Sequence, residues 1–87
     1  MKIIYSPEFL RRYKRLPDDV KERAEQREEM FRKNPFDGRL KTHKLQGKWS
    51  GFWAFSIDFK YRVIFKFKDS NLTRFYSVGG HSIYKKF

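Results

Sequence analysis

The 87-residue chain contains no cysteine, and its 21 Lys and Arg residues against 10 Asp and Glu give a formal net charge of +11. This length predicts one small domain, residues 1–87, and the lack of cysteine excludes a disulfide framework and a thiolate metal site. Ten Phe, five Tyr and two Trp must therefore supply most of the buried area.

The N-terminal sequence MKIIYSPEFLRRYKRL has only a short apolar run before polar and charged residues begin. This pattern is unlike a signal peptide or a membrane span. We therefore expect a cytoplasmic protein with no membrane association, which fits the absence of cysteine.

The first elements are a strand and two helices. Lys2 to Tyr5 is β-branched and aromatic, which predicts a strand. The sequence Ser6-Pro7-Glu8 then predicts a helix start, with a capping hydroxyl, a proline in the first helical position and an acid in the first turn. Pro17 ends this helix, and a second helix is predicted to run to about Lys33, where an Asn-Pro pair stops it.

Residues 35–50, PFDGRLKTHKLQGKWS, predict a connecting loop with turn signals at Asp37-Gly38 and Gly47. The loop carries His43 and several basic residues. Binding groups are commonly placed in such loops, which lead directly into a sheet.

Residues 51–67, GFWAFSIDFKYRVIFKF, alternate most regularly and predict a strand, a turn and a second strand. The faces predicted to be buried carry Trp53, Phe55, Ile57, Tyr61, Val63, Phe65 and Phe67. The opposite face of the second strand carries Arg62, Ile64, Lys66 and Lys68. We expect that opposite face to be an exposed, positively charged working surface.

A last strand is predicted from Leu72 to Val78, followed by a Gly79-Gly80 break. The order of elements predicts an α+β fold with an N-terminal strand, a helical hairpin and then a three-strand antiparallel meander. The helices are expected to pack on one face of the sheet.

The positive charge is concentrated in the second part of the chain. Residues 1–29 have a net charge of +1, whereas residues 30–87 hold thirteen basic and three acidic side chains, a net charge of +10. Basic residues interleaved with aromatic residues favour a nucleic-acid partner. The alternatives are a basic protein with no polyanionic ligand and one whose charge is shielded by an acidic protein.

Two histidines, His43 in the loop and His81 after the last strand, are the candidate acid and base near neutral pH. Metal-free RNA cleavage needs a base for the 2′-OH, an acid for the leaving oxygen and cations for the phosphorane. The planar guanidinium of Arg62 is suited to binding phosphate oxygens. The alternative is a purely structural role, in which Arg62 forms a salt bridge to Asp58. No metal or other cofactor is expected, because the histidines lack ligand spacing and no carboxylate cluster accompanies them.

Four segments together resemble the RelE/ParE toxin superfamily, and the similarity covers essentially the whole chain. They are His43 to Gly47 (HKLQG), Trp53 to Ile57 (WAFSI), Tyr61 to Phe65 (YRVIF) and Val78 to His81 (VGGH). Members of the RelE-like branch are toxins of type II toxin-antitoxin systems. Many are metal-independent endoribonucleases that cut mRNA in the 30S A site of the ribosome and so inhibit translation. The resemblance therefore implies three partners: the ribosome, mRNA and a cognate acidic antitoxin that wraps and neutralises the toxin.

The resemblance also implies site residues. Arg62 matches the arginine of the Tyr-Arg strand phrase, which contacts phosphate, and His81 matches the catalytic histidine or arginine after the last strand. His43 matches the acid-base histidine of the YafQ-like branch, and Tyr84 is expected to stack on a base or position a proton. Further RNA-binding candidates are Lys41, Lys44, Lys48, Lys60, Lys66, Lys85 and Lys86.

The sequence departs from the YafQ-like pattern at three positions. Ser56 and Lys60 stand where that branch has a histidine and an aspartate, and Lys85 stands where the family has an aromatic residue. The nearest aromatic residues are Tyr84 and Phe87.

Two other functions remain as alternatives at this point. One is a ParE-like poison of DNA gyrase, and the other is a catalytically weak basic RNA-binding relative. The histidine after the last strand and the Tyr-Arg phrase favour the nuclease.

Overall fold

The structure, a computed structural model, describes residues 1–86 and the side chains of residues 1–84. Within this range it has two helices, α1 (Pro7–Lys14) and α2 (Asp18–Lys33), and the strands β1 (Lys2–Tyr5), β2 (His43–Lys44), β3 (Trp53–Ser56), β4 (Arg62–Phe67) and β5 (Leu72–Gly79). There are also 3₁₀ turns at Gly38–Leu40, Gly47–Trp49 and His81–Lys86, the last of which we call the terminal segment. The predicted α+β class and order of elements are confirmed. Neither helix of the described chain has the length and apolar character needed to cross a membrane.

The strands form a single sheet in the order β1-β5-β4-β3-β2. β1 pairs in parallel with β5, and the other neighbours are antiparallel. β2 was not predicted, because two residues are too few to show alternation. Its residues His43 and Lys44, expected in a loop, pair with Ala54 and Trp53 at the edge of the sheet.

The start of α1 is tied to the sheet by the predicted cap. The Ser6 hydroxyl accepts a hydrogen bond from the Phe9 amide at 3.0 Å and donates one to the Tyr76 carbonyl at 2.7 Å. One side chain therefore satisfies an unpaired amide of the helix and fixes α1 against β5.

The main core lies between the helices and one face of the sheet. Phe31 of α2 is fully buried at its centre. Its ring centroid lies 5.0 Å from Phe55, 4.9 Å from Phe65 and 5.6 Å from Phe75. The faces predicted to be buried do face this core, where Trp53, Tyr61 and Phe67 are only partly covered.

The opposite face of β4 is not the open charged surface that alternation predicted. Ile64 is fully buried there in a second cluster with Trp49 and Ile83, and Leu45, Phe52 and Tyr84 pack around it. β4 is the central strand, and each of its two faces packs in a separate apolar cluster. The predicted surface remains only at the ends of the strand, where Arg62 and Lys66 are half-buried and Lys68 is exposed.

Replacing Phe31 with alanine removes the ring on which four phenylalanines of the sheet pack. We expect Phe31→Ala to lower the free energy of unfolding by about 3–5 kcal/mol, a large part of what a small domain has. Urea denaturation measures this change. The matched control is Phe59→Ala, because Phe59 is 91% exposed; a similar loss in both variants would contradict the assignment of Phe31 to the core.

Candidate functional site

Arg62 stands at the start of β4, between Ser56 of β3 and Gly79 of β5. Its guanidinium donates hydrogen bonds to the backbone carbonyls of Asp58 and Tyr61. Among the described side chains, no carboxylate forms a salt bridge with it. The arginine is therefore held in place by neutral carbonyl groups, which leave its charge available to an anion.

The alternative of an Arg62–Asp58 salt bridge is wrong, because the Asp58 carboxylate has other partners. Its Oδ1 accepts hydrogen bonds from the Lys60 and Tyr61 amides at 2.8 Å each, and Oδ2 lies 3.2 Å from Arg23. Burial raises the pKa of Asp58, but the hydrogen bonds from Tyr61, Lys60 and Arg23 outweigh burial and lower the pKa below its ordinary value of 3.8. The carboxylate thus stays ionised and fixes the β3–β4 turn.

The terminal segment folds back over the strand that precedes it. A Cβ atom built on Gly79 would lie 2.6 Å from Ile83 Cγ2, so only glycine allows this approach. The Trp49 indole donates a hydrogen bond to the Tyr84 carbonyl at 3.2 Å, and the His81 and Tyr84 rings lie 6.0 Å apart. Because Gly79 pairs with Arg62, this fold brings the arginine, His81 and Tyr84 to one end of the sheet.

The ionisation of Tyr84 reflects this arrangement. Burial raises its pKa above the ordinary value of 10.0, and the positive charge of Arg62 lowers it to a lesser degree. Tyr84 is therefore a neutral phenol at neutral pH. It can donate a hydrogen bond or stack, but it is not a base.

His43 lies on the same face of the sheet as Arg62, two strands away. Its backbone is roughly 12 Å from that of Arg62 by ordinary strand spacings. The ring Nδ1 is 2.9 Å from the Lys41 carbonyl. A carbonyl only accepts, so Nδ1 carries a proton, and whenever the ring is neutral Nε2 is the acceptor. His43 makes no direct contact with His81 or Tyr84 among the described residues.

The lysines predicted to bind RNA lie in different parts of the structure. Lys66 lies over the Phe52 ring at 5.2 Å on the Arg62 face, and Lys60 lies over Tyr61 at 5.4 Å beside the turn. Lys44 pairs with Trp53 and lies over its ring at 5.5 Å, which places it on the helix side, away from Arg62. Lys48 is exposed in the second 3₁₀ turn. The side chains of Lys85 and Lys86, and all of Phe87, lie outside the described residues.

Sequence reasoning missed a cavity of about 220 Å³ beside the β3–β4 turn. Its lining consists of Arg27, Arg39, Lys41, Ser56, Ile57, Asp58, Phe59 and Arg62. Three elements that are far apart in sequence meet there, so no local pattern marks them. Among the described residues, no three His, Cys, Asp or Glu side chains form a group that could hold a metal ion.

Comparison with known proteins identifies a family whose model matches most of the chain. Residues 3–83 match the family model described as ParE toxin of type II toxin-antitoxin system, parDE. This match confirms the superfamily resemblance seen in the sequence. No curated protein sequence matches at a significant level.

Solved toxin structures share the fold over nearly their whole length. YafQ from E. coli strain BL21(DE3) has a TM-score of 0.76 at 24% identity, covering 95% of this chain and 96% of YafQ. A YoeB/ParE toxin from Agrobacterium tumefaciens has a TM-score of 0.78 at 20% identity, covering 93% of this chain and 99% of the toxin. A chain of the E. coli DinJ-YafQ complex has a TM-score of 0.68 at 26% identity, covering 94% of both chains.

The close approach at Gly79 predicts that Gly79→Ala will loosen the terminal segment. The new methyl group would push Ile83 away, and we expect a loss of about 1–3 kcal/mol in unfolding free energy. Hydrogen exchange of the Ile83 amide, which donates to the Gly80 carbonyl at 3.1 Å, should accelerate. Gly38→Ala is the control, because nothing lies within 4 Å of its added Cβ. Unchanged exchange in Gly79→Ala would refute the contact.

The ionised Asp58 predicts a pH-dependent stability difference. Its folded-state pKa is lowered, so its stabilisation is fully present above the unfolded value of 3.8 and is lost as the pH falls through the lower folded value. Asp58→Asn should therefore cost about 1 kcal/mol at neutral pH. Urea titrations at decreasing pH should show this gap closing in the acid range; a gap that stays constant would contradict the assignment.

Proposed function

The chain belongs to the ParE toxin family of type II toxin-antitoxin systems, and we propose that this toxin cuts mRNA in the A site of the ribosome and so stops translation. The observation that carries the proposal is the meeting of Arg62, His81 and Tyr84 at one end of the sheet. This end belongs to the part of the chain that holds a net charge of +10. A polyanionic substrate fits that charge.

Arg62 is assigned to the scissile phosphate. Its guanidinium is oriented by the Asp58 and Tyr61 carbonyls and has no salt-bridge partner among the described side chains. A guanidinium held before the substrate arrives can stabilise the charge that develops on the phosphorane without rearranging.

The two histidines are assigned to proton transfer. The 2′-OH gives its proton to Nε2 of His43, and the 2′-oxygen attacks the adjacent phosphorus. The bond from phosphorus to the 5′-oxygen breaks, and that oxygen takes a proton from the His81 imidazolium. The products are a 2′,3′-cyclic phosphate and a 5′-hydroxyl, with no other reactant needed.

The distance between His43 and Arg62 suits this assignment. Backbones that lie roughly 12 Å apart leave room for a phosphodiester between the side chains of His43 and Arg62. Tyr84, as a neutral phenol beside Arg62, is placed to stack on a base or to donate a hydrogen bond.

A cognate antitoxin is the second proposed partner. Among the solved structures with this fold, the E. coli DinJ-YafQ complex and the YoeB-YefM complex from Staphylococcus aureus are toxin-antitoxin complexes. For this chain we propose an acidic antitoxin segment, because the toxin has a formal net charge of +11.

Cleavage of a translated mRNA tests the proposal. In a cell-free translation reaction, wild type should produce cuts within codons that primer extension maps. His81→Ala should lower the cleavage rate by about 10²–10⁴-fold, as expected for loss of an acid-base group. Arg62→Ala should lower it by about 10²–10³-fold. Lys33→Ala, at the far end of α2, is the control and should cut normally; intact mRNA with wild type would overturn the proposal.

Gyrase inhibition is the second candidate, because the family model that matches the chain is that of ParE toxins. A DNA supercoiling assay with the purified protein separates the two functions. Inhibition of gyrase at low protein concentration with no mRNA cleavage would favour this candidate. RNA binding without cleavage or gyrase inhibition would instead indicate a catalytically weak RNA-binding relative.

A further inference from the structure

The cavity beside the β3–β4 turn, which we call the turn cavity, has the charge of an anion site. It is lined by four cationic side chains, Arg27, Arg39, Lys41 and Arg62, and by one acid, Asp58. That acid is already paired with Arg23. Of the four cations, Arg27 has a structural role, since its Nε donates to the Ile57 carbonyl at 3.2 Å. Arg39 is ion-paired with the Asp37 carboxylate. Lys41 and Arg62, which have no carboxylate partner among the described side chains, therefore supply the uncompensated positive charge of the cavity.

The loop fixes the Arg39 side chain and the Lys41 backbone before any ligand binds. Two nitrogens of Arg39 bond the Asp37 carboxylate, at 3.0 and 2.8 Å, and its third nitrogen has no hydrogen bond among the described residues. Lys41 has a φ of +53°, a left-handed conformation that non-glycine residues adopt only at a cost. Its carbonyl accepts from His43 Nδ1, which links the cavity to the candidate base.

Phe59 lies at the rim of the turn cavity and is 91% exposed. The described structure gives it no aromatic partner, unlike Phe36, another exposed phenylalanine, which packs on Trp53 at 5.5 Å. Exposure of a whole phenyl ring is unfavourable for folding. A flat apolar ring beside uncompensated cations is the combination that binds a base together with its phosphate.

We propose that the turn cavity binds one nucleotide of single-stranded RNA, with its phosphate on Arg39, Lys41 and Arg62 and its base stacked on Phe59. The identity of the strand as RNA rests on the proposed function. Arg62 borders both this cavity and the end of the sheet that holds His81. Its guanidinium is therefore shared between the phosphate of the bound nucleotide and the adjacent scissile phosphate. An acidic peptide would use the cations but would have no need for the Phe59 ring.

Salt-dependent binding tests the phosphate contacts. The ligand is a short single-stranded RNA that is 2′-O-methylated throughout, so that it cannot be cut, and binding is read by fluorescence anisotropy. In Arg39→Gln/Lys41→Gln, the slope of log K against log salt should fall by about 1.4, or 0.7 per lost contact. Arg11→Gln/Lys33→Gln loses the same charge from the helices and should keep the wild-type slope. Equal slopes in the two double variants would overturn the proposal.

Stacking is tested separately by substitutions at Phe59. Because this residue is exposed, they should not disturb the fold. Phe59→Leu should bind the same RNA about ten-fold more weakly with an unchanged salt slope, and Phe59→Trp should restore binding. Equal affinity for Phe59→Leu and wild type would remove the base from the proposal and overturn it.

Two outcomes separate this proposal from the proposed function. Weaker binding in the cavity variants, with no mRNA cleavage by wild type, would support the nucleotide site and refute the nuclease. Normal RNA binding by those variants, with weaker binding of a poly-glutamate peptide, would instead assign the cavity to an acidic protein segment and overturn the nucleotide site. In that case cleavage by wild type would leave the nuclease standing.

Discussion

The position of the candidate site depends on how Ile64 is covered. β4 is the central strand, and one of its faces packs on α2. Ile64 lies on the other face and is also fully buried, so it needs a second apolar cover. The described residues form only two α-helices, and both pack on the other face. Trp49 and Ile83 supply the cover instead. Ile83 can do so only if the chain turns back after β5, and that turn carries His81 to the end of the sheet near Arg62.

The helices, the long strands and the face of the hairpin that packs against the helices could all be predicted from the sequence. Alternation and capping are local signals, and Ser6, Phe55 and Phe65 obey them. The second cluster gave no such signal. Ile64 stands between basic neighbours, and the residues that cover it come from two distant loops, so alternation predicted an exposed charged face. β2 escaped prediction because it has only two residues.

The sequence indicated that Arg62 and His81 would lie near each other, but it did not indicate which cations line a cavity. Arg62 and His81 come together through strand pairing and a glycine break, both of which leave a mark in the sequence. The net charge of a segment does not indicate which of its cationic side chains lie near Arg62. Lys44, for example, lies over Trp53 on the helix side, whereas Arg39, which no motif marked, lines a cavity with Arg62.

The turn cavity also gives physical meaning to a departure from the YafQ-like pattern. Ser56 stands where that branch has a histidine, and in this structure Ser56 lines the turn cavity and pairs with Arg62. An imidazole at this position would project into the same space, next to the guanidinium. The small serine leaves that space open, and Lys41 and Arg39 approach it from the loop. With serine at this position the sheet holds one titratable group fewer than the resemblance implies, and the opening is lined by Lys41 and Arg62, which have no carboxylate partner among the described side chains.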